Sequence, residues 1–400
     1  MKLESLDFRG AKIPVIYEYE SKTGLANVKF VFKNAGKIAN KIPGTSNFLA
    51  QILEEGCDEY FYKKLEIKGI ELNIHSGDES FVVEISALKE HFGFALNMLK
   101  ELLKKPDFSP KTFELVKTKI KGVILAKKSD FDYQAKCILK SKIYKNTPFE
   151  HPLIGDEQSI EKIQIADLKE FFTQNLTPNS LFITLGGNVS LDELDLNGLN
   201  LAQTSKNQAY KPFEILENSN ITSLKLPSEQ AYIYFAAPLK VSKEERYKAK
   251  VATFILGSSG FGSRLMEEIR VKRGLAYSAY ARNTFSLYKS GIFGYLQTKN
   301  ENEKEAIKLV KEIFADFVKN GVSKDELESA KNFLLGSEPL HKETLFKRLA
   351  TAENEYYLGY DLGEFDRNLA KVKKLSLDDL NAFIGSCGDI LKLSFAVVHG

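Results

Sequence analysis

The sequence predicts an α+β protein of two homologous domains, each a mostly antiparallel sheet packed with helices. Three observations carry this. The chain has 400 residues, more than a single core usually serves. The order of strand-like and helix-like stretches in residues 1–198 recurs in residues 222–400. Between them, residues 199–221 are rich in Asn, Gln and Ser and break both periodicities, as a linker does.

In the first half, Val28–Phe32 is a short apolar run that reads as a strand. Gly44-Thr45-Ser46 opens a helix, with Thr45 or Ser46 as the expected cap. It runs from Asn47 to Glu55 on an apolar face of Phe48, Leu49, Ile52 and Leu53, and stops at Gly56. Ser80–Ala87 is a strand, and Phe92–Leu103 is a helix closed by Pro106. Ser109-Pro110 opens a longer helix to about Lys128, with proline in the favoured first turn. Ile160–Asn175 reads as helix and Ser180–Gly187 as strand.

The second half follows the same plan. Ala231–Ala237 is a strand and Glu244–Leu256 a helix. A glycine-rich turn, Gly257–Gly262, leads into a helix over Ser263–Lys272. Strands follow over Ala276–Thr284 and Gly291–Thr298, then a helix over Glu303–Lys319. Ser323 opens a helix as Ser109 does, and Phe113, Lys117 and Gly122 fall in register with Leu327, Lys331 and Gly336. Leu391–Val398 closes the chain as a strand.

Composition excludes several classes of function. Lys+Arg 56 against Asp+Glu 53 gives a net charge of +3 with no basic stripe, which argues against nucleic acid. Cys57, Cys137 and Cys387 are too sparse for a disulfide framework or a cysteine zinc site. No run approaches the ~18 apolar residues of a membrane span. Met1–Glu20 is charged throughout, without a signal-type apolar core. The expected compartment is cytoplasmic, or periplasmic where a signal peptide has been removed. His75, His91, His151, His341 and His399 have no second ligand at helical spacing, so no metal site is expected in this chain. Gly257–Gly262 lacks the Lys-Ser/Thr of a phosphate loop and reads as a tight turn.

The segment with most chemical content is Arg270-Val271-Lys272-Arg273-Gly274-Leu275-Ala276-Tyr277. Gly274 is the expected helix stop, since glycine accepts the left-handed conformation that ends helices. That places Arg270 in the last turn and Tyr277 at the start of the next strand. A guanidinium and a phenol held together can hold a peptide carbonyl or a developing oxyanion. The plainer reading is a surface cation favoured by the helix dipole and a strand tyrosine with its hydroxyl at the rim.

The duplicated plan, the glycine-rich turn before Ser263-Arg264-Leu265, the Arg270–Ser278 segment and Ser290-Gly291-Ile292-Phe293-Gly294 together resemble the insulinase/pitrilysin-type zinc metallopeptidase family, in particular its mitochondrial processing peptidase-like bacterial branch. The resemblance covers essentially the whole chain. It implies that Arg270 and Tyr277 help hold the substrate backbone. Active members carry H-x-x-E-H on the first helix, where two histidines bind zinc and the glutamate activates water. The matching positions here are Asn47, Ala50 and Gln51. The third zinc ligand of the family is an acid on the next long helix, and this sequence has none between Leu115 and Ser129.

The resemblance therefore implies a non-zinc subunit of a two-chain processing-type metallopeptidase. This chain would supply the Arg270/Tyr277 half-site for peptide hydrolysis, bind no cofactor itself, and be inactive alone. Zinc is expected on a homologous partner in a heterodimer, with a homodimer as the other arrangement. Two alternatives stay open: an inactive scaffold or peptide-binding protein of the same fold, and an enzyme of unrelated chemistry.

Overall fold

The computed structural model describes residues 1–202, 209–216 and 220–400. Strand alternation builds the first sheet. In β3 (Leu25–Lys33), Val28, Phe30 and Phe32 are buried on one face and Val31 on the other. Around it lie β1 (Lys2–Phe8), β2 (Ala11–Tyr19), β4 (Glu71–Ser76), β5 (Ser80–Leu88) and β6 (Leu181–Gly187), in the order β1-β2-β6-β3-β5-β4. Only β2 and β6 run parallel; the other neighbours are antiparallel. One face packs against helices Thr45–Glu54, Phe92–Lys104 and Pro110–Lys127. The opposite face, through Ile16, Val31, Val82 and Phe182, receives Leu345, Leu349 and Ala352.

The second sheet contains β7 (Ile221–Lys225), β8 (Gln230–Ala237), β9 (Ala276–Phe285), β10 (Ser290–Lys299) and β11 (Ser394–His399), in the order β7-β11-β8-β10-β9. Again a single parallel pair, β7 with β11, sits in an antiparallel sheet. Strand for strand, this order matches β2-β6-β3-β5-β4, so the duplication read from element order extends to sheet topology. Helices Arg246–Thr253, Glu303–Asn320, Lys324–Gly336 and Leu377–Ser386 bury their apolar stripes against the core face.

Several elements differ from the sequence reading, each for a physical reason. β1 is rich in charge and lies at a sheet edge, while β2 contains Pro14, a residue that argues against a strand. β7 is a five-residue, mostly exposed edge strand. The helix expected over Ile160–Asn175 is two, Glu157–Lys162 and Ile165–Asn175. The break at Ile163-Gln164 is fixed because the Gln164 amide donates to Asp167 Oδ2 at 2.8 Å, which starts a new helix. Neither Thr45 nor Ser46 caps the first helix. Gly44 does, at φ +95°, where an added Cβ would lie 2.8 Å from Ile160 Cδ1.

The contiguous domains expected at 1–198 and 222–400 differ from the two compact units by an exchanged segment in each direction. One unit comprises Met1–Ala126, His151–Tyr210 and His341–Leu362; the other comprises Lys127–Glu150, Lys211–Leu340 and Gly363–Gly400. Helix Phe131–Ile143 lies on β8 and β11, and helix Leu345–Tyr357 lies on β2 and β6. Of the linker expected at 199–221, residues 203–208 and 217–219 lie outside the described residues.

Candidate functional site

The site grows from the glycine-rich turn. Gly257 must be glycine because a Cβ there would meet the Ala281 backbone nitrogen at 2.5 Å. This lets the wide π-type turn Phe254–Ser258 lie directly on β9. Gly260 (φ +68°) and Gly262 (φ +96°) turn the chain through left-handed conformations, as the tight-turn reading expects. Ser263, fully buried, then caps the next helical turn by accepting from the Met266 amide at 3.3 Å. That helix widens into a second π-type turn, Glu267–Val271, which carries Arg270. Gly274, at φ +61°, ends it: its amide donates to the Arg270 carbonyl, and the Leu275 amide to the Ile269 carbonyl, both at 2.9 Å.

The structure brings Arg270 and Tyr277 together. The Arg270 guanidinium lies 4.5 Å from the centroid of the Tyr277 ring and 4.7 Å from that of Phe261. Tyr277 is 80% exposed and Phe261 68%. A bulge aims Tyr277. Leu296 pairs with Ala279 and Thr298 with Ala276, so Tyr277 and Ser278 together oppose Gln297. Such bulges re-aim a side chain at a sheet edge, and β9 is an edge strand. The sequence reading missed Phe261; its one signal was an aromatic residue between two glycines.

The neighbouring cations behave differently from Arg270. Lys272 and Arg273 both bond to the Glu268 carboxylate at 2.6 Å, and together they hold its carboxyl below the usual range. Arg264 grips Glu326 with Nε at 2.6 Å and a terminal nitrogen at 2.9 Å, reaches Asp316 at 3.2 Å, and donates to the Gly321 carbonyl at 2.7 Å. Among the described residues no carboxylate lies within ion-pair reach of Arg270. Its guanidinium lies near two aromatic rings, and its N–H donors are left for another group.

Arg264 is thus a structural clamp between the glycine-rich turn and helix Lys324–Gly336. Arg264→Ala is expected to cost about 2 kcal/mol of stability, because it breaks a forked charge-assisted pair and leaves half-buried Glu326 unmatched. Arg264→Lys should restore little of it, since a point charge does not replace the fork. Urea unfolding with an unchanged m-value checks both.

The positions matched to the zinc motif lie on helix Thr45–Glu54. Ala50 is buried, while Asn47 and Gln51 are partly buried. The Asn47 Nδ2 group is buried without a hydrogen-bond partner among the described residues, as are Asn40 Nδ2 and Ser46 Oγ. An N–H donor faces away from the needs of a cation, two carboxamides are poor zinc ligands, and a methyl group moves no proton. From Leu115 onward, helix Pro110–Lys127 offers lysines instead of an acid. Lys119 pairs with Glu55 at 2.5 Å, Lys117 with Glu161 at 2.9 Å, and Lys121 also with Glu161. These residues do not fit zinc. Among the described residues no group of three His, Cys, Asp or Glu side chains could hold a metal ion. His399, which sequence spacing left alone, lies 3.1 Å from Glu303 as a simple pair.

Comparison with known proteins accounts for this arrangement. The model of the insulinase family, peptidase family M16, matches residues 15–157, and that of the peptidase M16 inactive domain matches residues 162–334. The chain belongs to the M16, or insulinase, family. It is 40% identical over 398 residues to a Helicobacter pylori protein named non-peptidase homolog YmxG, covering 97% of this chain and 92% of that one. A crystal structure of a peptidase M16 inactive domain from Pseudomonas fluorescens has the same fold, with a TM-score of 0.87, 22% identity, and coverage of 100% of this chain and 98% of that one. So has a protease from Helicobacter pylori, with a TM-score of 0.85, 15% identity, and coverage of 100% and 99%. No helix among the described residues is long and apolar enough to cross a membrane.

Proposed function

We propose that this chain is a non-peptidase member of the M16 family that contributes a peptide-binding half-site to a two-chain processing-type peptidase. Arg270 and Tyr277 hold the substrate, and a homologous partner chain bears the zinc. The observation that carries this is the contrast between Arg270 and its neighbours. Arg264, Lys272 and Arg273 are consumed by carboxylates, whereas Arg270 lies beside the Tyr277 ring with its N–H donors uncommitted. The positions matched to the zinc motif offer amides and a methyl group, so zinc chemistry is assigned to the partner and no step through the metal to this chain. A further support is that a relative named as a non-peptidase homolog and a solved protease of this fold come from the same species.

What this chain does on that reading is orient an extended peptide. The guanidinium edge and the phenol hydroxyl donate to peptide oxygens and are placed before the reaction begins. The purified chain alone, with zinc added, is expected to leave an unstructured peptide intact. Mixing it with a homologous chain carrying H-x-x-E-H should yield a complex on size-exclusion chromatography and chelator-sensitive cleavage. Cleavage by this chain alone, or a partner equally active without it, would overturn the proposal.

A further inference from the structure

We propose that Phe261 is a third member of the half-site, a positioning residue that fixes the plane of the Arg270 guanidinium. The proposal rests on the half-site reading. Phe261 is a large apolar side chain left 68% exposed at the tip of the glycine-rich turn, between Gly260 and Gly262. An exposed ring in that place does nothing for a core. What it does touch is Arg270: the guanidinium carbon lies 4.7 Å from the Phe261 ring centroid and 4.5 Å from that of Tyr277.

A guanidinium within reach of two rings gains cation–π attraction from both while its N–H groups stay available as donors. An arginine on a long side chain otherwise has many rotamers, and ordering it on binding weakens the complex. The two rings order it beforehand. Each ring comes from a different flank of the helical turn carrying Arg270: Phe261 from the glycine turn before it, Tyr277 from the bulged strand after it. The occupant of the open edge is a peptide oxygen, a backbone carbonyl or a carboxylate.

The test uses the full chain with arginine Nε labelled with nitrogen-15, and an unstructured fluorescent peptide as the probe. In the wild type, ring currents are expected to shift the Arg270 Nε–H signal, which Arg270→Lys assigns by its disappearance. Phe261→Ala should move that signal toward the position of a free arginine and weaken peptide binding about fivefold. Phe261→Tyr should restore both. Phe261→Leu, which keeps bulk without a π face, should restore neither fully. An Arg270 signal that does not move in Phe261→Ala overturns the inference. So does a signal that moves while affinity stays constant, provided Arg270→Ala still loses binding. If Arg270→Ala also binds normally, the half-site reading itself has failed.

Discussion

Arg270→Ala is expected to lower the rate of partner-dependent peptide cleavage about a hundredfold while leaving the fold intact. The size follows from the role: removing one pre-placed donor to a developing oxyanion costs on the order of 10²–10³ in rate. The fold should hold because Arg270 bonds to no carboxylate among the described residues, and its stacking partners are themselves exposed. Arg270→Lys should recover little, since an ammonium neither offers a planar face to an aromatic ring nor presents a fork. Tyr277→Phe keeps the ring and loses only the hydroxyl, so the expected loss is about tenfold, the worth of one hydrogen bond. Combined, the two changes should cost less than the product of the single losses, because Tyr277 acts partly by holding Arg270. Single-turnover rates with the zinc-bearing partner measure all four. Full activity in Arg270→Ala would show that this surface is only a scaffold.

How much of this site could be read from the sequence depended on how local each cause was. The Arg270–Gly274–Tyr277 spacing was legible because a helix stop, a turn and a strand start are set by neighbouring residues, and Gly274 adopts the left-handed conformation its position demands. The bulge that turns Tyr277 outward was not legible. It depends on how Leu296 and Thr298 pair across the strand, and no feature of residues 276–285 alone fixes that register. Phe261 was missed for a related reason: as part of a turn it reads as ordinary surface until the fold lays Arg270 beside it. The sheets were legible through strand alternation in β3, β5, β8 and β10, whereas the charged edge strand β1 and the proline-bearing β2 beside it hid their pairing. The exchanged helices show the limit most clearly. Neither was read as a helix from the sequence, and although Ala135, Leu139 and Ile143 fall at helical spacing, nothing in that stripe says which of two similar sheets it will cover.

The second large effect is expected on that exchanged packing, at Phe182. This residue is almost fully buried on β6, with its ring 4.9 Å from Tyr356 and 6.5 Å from Tyr357 of helix Leu345–Tyr357. Lys33 Nζ sits among the same rings, 4.4 Å from Tyr356, 5.2 Å from Phe182 and 5.6 Å from Tyr357. Around the rim, Arg348 bonds to Glu18 at 2.8 Å and to Glu20 at 2.6 Å, and Lys29 to Glu353 at 3.0 Å. The ranking of these contacts decides the prediction. Rim ion pairs open to water contribute about 0–1 kcal/mol each, whereas emptying a buried phenylalanine costs about 3–5 kcal/mol. Phe182→Ala should therefore destabilise far more than Arg348→Ala. It should also act locally: amide exchange should accelerate first in residues 345–357, while helix Phe92–Lys104 on the opposite face of the sheet keeps its protection. Burial pushes the Lys33 amine below the ordinary lysine range, so the folded state sheds this proton before the unfolded chain does. Stability should accordingly rise as pH climbs from that lowered value toward the ordinary one, and the rise should shrink in Phe182→Ala, where water reaches the amine. Uniform loss of protection across the first unit would mean that the helix is held as part of one cooperative core. Selective loss would mean that it docks onto a sheet already folded without it.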